Sequence, residues 1–258
     1  MQLQEMLYSQ GFGTRRVCAG LVEKGLVGIT RKDVQKQASL VNPESLEICL
    51  DPCEEIDTTD LAFSVQGRAW EYHEKAYLML HKPAGFECSQ KPGFHPSVYS
   101  LFPSPLRMRP VKGGVDGVQA VGRLDQDTTG LLLFSDDGQF LHRLASPKKH
   151  VPKVYDVTTK EVITPKQVEK LLAGVILDDS PKPVKAAACS AQDEYHLQLT
   201  LLEGKYHQVK RMIASVGNQV AALHRSRIGD LMLPDDLKAG QWRWLNQADL
   251  VLVLAKSK

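Results

Sequence analysis

The run GLLLFS at residues 130–135 is the sequence feature that most constrains how this chain folds. Its four middle residues are all apolar, so they do not divide between an apolar and a polar face. A short run of this kind, bounded by polar turn residues, is typical of a strand that is covered on both faces. We therefore predict a central strand over residues 130–135, entered directly from the polar loop GRLDQDTTG.

Six further segments in the same part of the chain have the composition of strands. They cover residues 77–83, 154–159, 196–202, 220–224, 228–233 and 250–254. The segment HLQLTLL at 196–202 alternates with period two, which predicts a strand with one covered and one open face.

Helix start and stop residues predict three helices between these strands. Asp137 can cap a helix that ends before Pro147, and Thr164 followed by Pro165 is a strong helix start. Residues 206–217 have an apolar stripe at helical spacing. Many strands and few helices together predict an α/β (α+β) domain in which helices flank a mainly antiparallel central sheet.

A smaller unit precedes this domain. Apolar residues at helical spacing predict two short helices. The second helix ends at Gly25 and is followed by a strand over 27–30. An acidic stretch without lysine or arginine then covers residues 44–60. We predict three parts, namely a small domain at 1–60, a linker at 61–75 and a large domain at 76–258.

The charge of the chain is unevenly distributed along the sequence. The net charge is +2, and residues 44–60 carry seven acids and no base, which leaves +9 on the remaining residues. Residues 138–155 and 204–229 contain basic residues and no acid. Such segregation is expected of a face that binds a polyanion, although a solvated basic surface remains an equal alternative from charge alone.

Several classes of protein are excluded by the sequence. No segment is long and apolar enough for a membrane span, and the N-terminal residues lack the features of a secretory signal, so we predict a cytoplasmic protein that does not bind membranes. The five cysteines form no C-x-x-C pair, and the eight histidines form no H-x-x-x-H pair. We therefore expect reduced thiols and no metal site. A nucleotide P-loop and a G-x-S-x-G elbow are also absent.

The loop GRLDQDTTG places Arg123, Asp125 and Asp127 beside the predicted central strand. A carboxylate beside a buried strand is partly desolvated, and a nearby cation can keep it ionised. Two alternatives remain open from the residues alone. The loop can be a structural turn, or the two aspartates can act as the acid and the nucleophile of a glycosidase.

Two other segments combine polar and basic residues near an element boundary. The segment KVYDV at 153–157 has a lysine and a tyrosine at the entrance to a strand. The segment GKYHQVKRM at 204–212 places a cluster of cations where a helix begins, and such helix starts favour anions. That cluster consists of Lys205, His207, Lys210 and Arg211.

Three segments together resemble the pseudouridine synthases. GRLDQDTTGLLLFSDDG is similar to the family's signature loop, and HVPKVYDV is similar to its K-x-Y segment. EGKYHQVKRMIASVGNQVAALHRSRIGDLML resembles the third motif, in the form found in the branch that acts on small-subunit ribosomal RNA. The motifs occur in the family's order and span residues 77–245.

The resemblance implies roles for individual residues. Asp125 corresponds to the catalytic aspartate, and Tyr155 to the tyrosine that stacks on the target base. Lys210 corresponds to the cation that pairs with this aspartate, with Arg211 as the alternative. Asp127 falls on a variable position. The residues that the resemblance and the basic stretches assign to RNA binding are Arg123, Lys153, Lys205, His207 and Arg211.

The resemblance also implies the reaction and the partner. It implies an isomerase that converts one uridine of 16S ribosomal RNA, uridine 516, to pseudouridine without a cofactor. The implied substrate is 16S rRNA or a small-subunit assembly intermediate, and the implied enzyme is a monomer. The alternative is a non-catalytic RNA-binding or ribosome assembly factor with the same fold.

The N-terminal segment QEMLYSQGFGTRRVCAGLVEKGLVGI is similar to the S4-type RNA-binding domain in its order of helix, GTRR, helix, glycine and strand. The resemblance implies that this S4-like domain contacts RNA through Arg15, Arg16 and Lys24.

Overall fold

The computed structural model of the protein describes residues 1–30 and 46–255. The chain divides into two compact units, one formed by Met1–Ala76 with Phe102–Val118 and the other by Tyr77–Leu101 with Gln119–Lys258. No helix within the described residues has the length and apolar character that a membrane span requires.

The first unit combines a four-stranded antiparallel sheet with short helices. Its helices are α1 (Leu3–Ser9), α2 (Arg15–Glu23) and α3 (Ser104–Arg107), and its strands are β1 (Val27–Ile29), β2 (Glu47–Cys49), β3 (Ala62–Val65) and β4 (Arg68–Glu71). The strands lie in the order β2-β1-β3-β4. Leu3, Met6, Cys18 and Val22 are buried in its core, which confirms the two predicted helices.

Residues 61–75, which the sequence predicts as a linker, contain two strands of this sheet. All four residues of β3 are buried. Gln66 and Gly67 have φ angles of 52° and 75°, so a two-residue turn joins β3 to β4. The structure differs from the prediction because charge composition reports on exposed side chains, whereas the hairpin depends on a few apolar ones. Residues 31–45 of the predicted small domain lie outside the described residues.

The segment 102–118, which the sequence predicts in the large domain, is part of the first unit. Arg109 is only 2% exposed. Its guanidinium donates to the side-chain oxygen of Gln10 at 2.8 Å and to the carbonyl oxygens of His73 at 2.7 Å and Glu74 at 3.1 Å. This buried cation therefore joins three stretches that are distant in sequence.

The second unit is built on one large sheet. Its strands are β5 (Tyr77–Lys82), β6 (Gln119–Ala120), β7 (Thr129–Ser135), β8 (Lys153–Thr159), β9 (Val175–Leu177), β10 (Ser180–Val184), β11 (Ala188–Ala191), β12 (His196–Leu201), β13 (Val220–Ile228), β14 (Leu231–Met232) and β15 (Trp242–Trp244). Its helices are α4 (Gly138–Ala145), α5 (Pro165–Ala173), α6 (Gln208–Ser215) and α7 (Gln247–Leu254).

The large sheet has the order β11-β12-β8-β13-β7-β5-β15, while β9 and β10 form a separate hairpin. Strand β6 pairs with β7, and β14 pairs with β13. Only the pairing of β7 with β13 is parallel among the described strands of this sheet. The predicted α/β fold with a mainly antiparallel central sheet is therefore confirmed.

The sequence also predicts the centre of this sheet correctly. Strand β7 has neighbours on both edges, and the side chains of residues 131–134 are fully buried. Strand β12 alternates between exposed and covered residues, as its pattern predicts. The predicted caps are also present, since Asp137 caps α4 and Thr164 forms a capping box with Gln167 at the start of α5.

Residues 250–254 form part of a helix, so the strand predicted there is wrong. The Asn246 side chain accepts a hydrogen bond from the backbone of Asp249, and the Asp249 carboxylate accepts one from the backbone of Asn246, both at 2.9 Å. This capping box fixes the first turn of α7. The prediction fails because five consecutive apolar residues carry no period that distinguishes a helix from a strand.

Two backbones come into close contact where β7 and β13 run parallel. Thr129 lies opposite His224, and Gly130 lies opposite Arg225. Gly130 has a φ of 108°, and a Cβ added to it would lie 2.3 Å from the Arg225 carbonyl oxygen. Glycine is therefore required at the point where the polar loop enters the central strand.

We expect Gly130→Ala to lower the free energy of unfolding by about 3 kcal/mol, because a strained φ and a backbone clash add together. Gly122→Ala is the matched control, since Gly122 also has a positive φ of 70° but a Cβ added to it would have no other atom within 4 Å. That change should cost only about 1 kcal/mol. Urea unfolding measures both values, and equal losses would contradict the importance of the close contact.

Candidate active site

A cavity in the second unit is bounded by the loop before β7, by β8 and β13, and by the start of α6. The residues predicted from the sequence that line it are Arg123, Asp125, Lys153, Tyr155, Lys205, His207 and Lys210. Thr128, Leu223 and Arg225 also line it. The fold thus brings the three motifs, which are distant in sequence, to one cavity.

Asp125 lies between two basic side chains at this cavity. Its Oδ2 is 3.3 Å from Lys210 Nζ, and its Oδ1 is 3.3 Å from His207 Nε2. The Asp125 side chain is 27% exposed, so it is accessible from solvent but partly shielded from it. A carboxylate in this setting has a basic side chain beside each oxygen while it faces a space that a ligand can enter.

Asp127 shares the same lysine. Lys210 Nζ lies 2.6 Å and 2.8 Å from the two Asp127 oxygens. Burial opposes the charge of Lys210, but the hydrogen bond to Asp127 and the charges of both aspartates outweigh it and raise the lysine pKa. The pKa of Asp127 is lowered, because Lys210 outweighs the effect of desolvation. Lys210 is therefore a stable cation shared by two carboxylates.

The loop that carries both aspartates is held from below by a buried lysine. Lys82, at the end of β5, is fully buried. Its ammonium donates to the carbonyl oxygens of Pro83 at 3.0 Å, Gln126 at 3.1 Å and Thr128 at 2.8 Å. Desolvation lowers the pKa of Lys82. The three carbonyl groups replace the water that this cation has lost, and two of them belong to the loop.

Strands β8 and β13 supply the buried side of the cavity. Tyr155 on β8 is 8% exposed and lies opposite Arg225 on β13. The guanidinium carbon of Arg225 is 6.0 Å from the centre of the Tyr155 ring. Lys153, two residues before Tyr155, donates to the carbonyl oxygen of Val151 at 3.1 Å. An aromatic ring and two cations therefore lie together on this side.

His207 is held in an unusual conformation. Its φ is 47°, in the left-handed region that few residues other than glycine adopt. Its ring is stacked on that of Tyr206, with centroids 3.8 Å apart and planes at 18°. Both residues line a second groove, together with Arg123 and Lys205, and this groove shares several residues with the cavity. This groove combines an exposed aromatic stack with basic side chains, a combination suited to single-stranded nucleic acid.

The remaining predicted residues lie elsewhere. Arg211 does not contact Asp125, because its guanidinium pairs with Asp179 in the segment between β9 and β10. Lys210 is thus the predicted alternative that lies beside Asp125. Arg15 and Arg16 are part of α2 in the first unit.

No three histidine, cysteine, aspartate or glutamate side chains within residues 1–30 and 46–255 are placed to share a metal ion. The basic groups around Asp125 are lysine and histidine side chains.

Sequence reasoning did not identify Lys82, Thr128 or Arg225 as residues of the site. The local signal for the burial of Lys82 is its position at the end of an apolar strand, immediately before Pro83. Arg225 lies in a basic stretch and carries no sequence signal of its burial. The cavity depends on cations inside the sheet, and charge counts alone cannot distinguish these from surface cations.

Comparison with known proteins gives a consistent result. A family model described as RNA pseudouridylate synthase matches residues 76–215. "Ribosomal small subunit pseudouridine synthase A" of Haemophilus influenzae is 37% identical over 87% of this chain and 94% of its own length. The protein of the same name from Vibrio parahaemolyticus is 36% identical over 97% of this chain and 98% of its own length.

A solved structure titled "Crystal structure of pseudouridylate synthase" is also similar. It has 32% sequence identity and a TM-score of 0.64, and the match covers 98% of this chain and 100% of that one. The fold similarity thus extends over both units of the chain.

We expect Lys82→Met to lower the free energy of unfolding by about 3 kcal/mol, because the carbonyl groups of Pro83, Gln126 and Thr128 lose the ammonium to which all three are bonded. Amide hydrogen exchange over residues 123–129 should also become faster, since the loop loses two of its tethers. Urea unfolding and exchange mass spectrometry measure these effects. Lys160→Met, at an exposed lysine after β8, is the control and should change stability by less than about 0.5 kcal/mol. Unchanged exchange in Lys82→Met would contradict the tethering role.

Proposed function

The chain belongs to the RNA pseudouridylate synthase family, and from this premise we propose that it isomerises uridine 516 of 16S ribosomal RNA to pseudouridine. The choice of RNA is supported by the similarity to two relatives named for the ribosomal small subunit, which covers 94% and 98% of their lengths.

The observation that carries the proposed mechanism is the contact of Asp125 with Lys210 and His207 at the cavity. The reaction breaks the bond between N1 of uracil and C1′ of ribose, turns the base, and joins it again through C5. An ionised carboxylate can attack the sugar or the base, or it can remove a proton from the sugar. Each route requires a carboxylate oxygen of Asp125 at the cavity, and Lys210 Nζ lies 3.3 Å from one of these oxygens.

Tyr155 is the proposed platform for the target base. A uridine inside a folded RNA must leave its stack before its glycosidic bond can be reached. An aromatic ring on a rigid strand can receive such a base by stacking. The buried Tyr155 ring lines the same cavity as Asp125, so a base stacked on it would bring its ribose close to the carboxylate.

The basic side chains around the cavity are the proposed contacts for the RNA backbone. Arg123, Lys205 and His207 line both the cavity and the groove beside it. Arg211 is paired with Asp179, so its charge is largely engaged within the protein. We assign the phosphate contacts to Arg123, Lys205 and His207.

We propose that the protein acts as a monomer, which is supported by the location of all the proposed catalytic residues in the second unit of one chain. The same residues can act on free 16S rRNA or on an assembling small subunit.

The first unit is a further proposed RNA contact, consistent with its resemblance to the S4-type domain. Arg15 donates to Glu5 at 2.6 Å and lies over the Tyr8 ring, so its charge is partly engaged. Arg16 and Lys24, at the start and end of α2, are exposed. We assign the main phosphate contacts of this unit to Arg16 and Lys24.

We expect Asp125→Asn to abolish pseudouridine at uridine 516 while changing the RNA dissociation constant less than about threefold, because the change removes charge and little volume. Asp127→Asn should retain activity. Carbodiimide mapping of 16S rRNA, in cells that carry each variant in place of the natural protein, measures the modification.

Other outcomes of this experiment would favour the alternatives. If the natural protein leaves uridine 516 unmodified, the proposed substrate is contradicted. Release of free uracil, together with loss of activity in Asp127→Asn, would indicate a glycosidase that uses both aspartates.

The double change Arg16→Gln with Lys24→Gln should weaken RNA binding and make the slope of log affinity against log salt shallower by about 1.5, because two phosphate contacts to single-stranded RNA are lost. Arg15→Gln is the control and should have a smaller effect, since Glu5 already pairs with Arg15. Fluorescence anisotropy over a salt series measures the slope. An unchanged slope in the double variant would show that this surface does not contact RNA.

A further inference from the structure

Arg225 is a buried cation with no counterion among the described residues. Its side chain is 2% exposed, and its Nε donates to the carbonyl oxygen of Leu131 at 2.9 Å. Its Nη2 is buried and has no hydrogen-bond partner among the described residues, and no carboxylate there forms an ion pair with it. Burying an unpaired charge is costly, so a buried guanidinium of this kind needs an explanation.

Lys153 shares this situation. Its ammonium makes one hydrogen bond among the described residues, to the Val151 carbonyl oxygen. Desolvation, together with the charge of Arg225, lowers the pKa of Lys153 to about 8. The two cations therefore lie close enough to repel each other, and both line the cavity that contains Asp125. We refer to Lys153 and Arg225 as the cation pair.

The cation pair is separate from the groups that hold Asp125. Lys210 and His207 contact both Asp125 oxygens, so the carboxylate does not depend on Lys153 or Arg225. Thr128 adds a hydroxyl at the same cavity that is buried and without a hydrogen-bond partner among the described residues. The cavity therefore offers two donors without a partner among the described residues, Arg225 Nη2 and the Thr128 hydroxyl, beside a Lys153 ammonium that makes one hydrogen bond there.

The position of the cation pair favours a base over a phosphate as its ligand. Arg225 lies opposite Tyr155 and 6.0 Å from the centre of its ring, and Lys153 precedes Tyr155 on the same strand. A pyrimidine that stacks on Tyr155 would bring its ring edge toward these donors. Uracil has two carbonyl oxygens on that edge, and both accept hydrogen bonds.

We propose that Lys153 and Arg225 bind the uracil ring through its carbonyl oxygens and stabilise the negative charge that the ring carries while it is detached from the ribose. This inference rests on the isomerisation proposed above, but not on the identity of the RNA. When the N1–C1′ bond breaks, its electron pair stays on the uracil ring and spreads onto the two carbonyl oxygens. The Asp125 carboxylate either bonds to C1′ or takes up the proton of C2′, and it releases that bond or proton when C1′ is joined to C5. When the C5–C1′ bond forms, C5 loses a proton and N1 gains one, so no co-reactant is needed. Fixed cations at a site of developing charge lower the barrier to such a step.

The variant Lys153→Met distinguishes an effect on the reaction rate from an effect on RNA binding. We expect the single-turnover rate of pseudouridine formation to fall about 100-fold, while the RNA dissociation constant changes less than about threefold. A phosphate contact would give the opposite result, namely weaker binding, a shallower salt dependence and an unchanged rate. That result would overturn the proposal.

The pH dependence gives a second readout. Lys153 is protonated below a pKa of about 8, so the wild-type single-turnover rate should fall as the pH rises through about 8. Lys153→Arg keeps its charge at this pH, so it should retain most of the rate and lose the fall. An identical pH profile in Lys153→Arg would contradict the role of the Lys153 charge.

Arg225→Lys is the second variant, because it keeps a cation at the buried position while it removes the unpartnered Nη2. We expect a reduced rate with unchanged RNA affinity. Circular dichroism and urea unfolding establish that the variant folds. A folded Arg225→Lys with the wild-type rate would exclude recognition through Nη2.

Wild-type turnover on a 16S transcript is the reference for all variants. If the wild-type protein leaves that RNA unmodified, the proposed substrate is contradicted, and the same comparison is made on the cellular RNA that it does modify. If wild-type and Lys153→Met modify the RNA at equal rates, the proposed substrate stands and the role of the cation pair is overturned.

Discussion

The contact between Gly130 and the backbone of Arg225 is the constraint on which the rest of the site depends. It allows β7 and β13 to run parallel at close range in a sheet whose other described pairings are antiparallel. The loop that carries Asp125 comes immediately before Gly130 on β7. The neighbouring strand β13 carries Arg225, which lies opposite Tyr155. A side chain at position 130 would separate the carboxylate from the surface that faces it.

Charge in the second unit is organised by burial. Lys210 lies near the surface and is paired with two carboxylates, whereas Lys82 lies in the interior and donates to carbonyl oxygens. Carbonyl dipoles fix the position of a cation, but they do not cancel its charge. The backbone of the loop is thus anchored by one lysine and its two carboxylates are paired with another, so different residues hold the main chain and the side chains of the loop.

The sequence predicts those parts of the structure whose signal is local. The apolar run of β7, the alternation of β12 and the caps of α4 and α5 each follow from a few adjacent residues. Helix α7 and the β3–β4 hairpin did not, because their formation depends on a capping pair and on a few buried residues within charged surroundings. Asp125, Tyr155 and Lys210 were found through motifs, whereas Lys82 and Arg225 require a knowledge of which cations are buried.

Arg109 has a consequence for the order in which the chain can fold during synthesis. Arg109 donates hydrogen bonds to Gln10, His73 and Glu74, but the ribosome adds it to the chain only after the first strand of the second unit. The first unit therefore cannot reach its final packing when residue 76 leaves the ribosome, and must wait for more than thirty further residues. A chain cut after residue 76 would lack this arginine, so the N-terminal unit is not a module that can be separated at its apparent boundary.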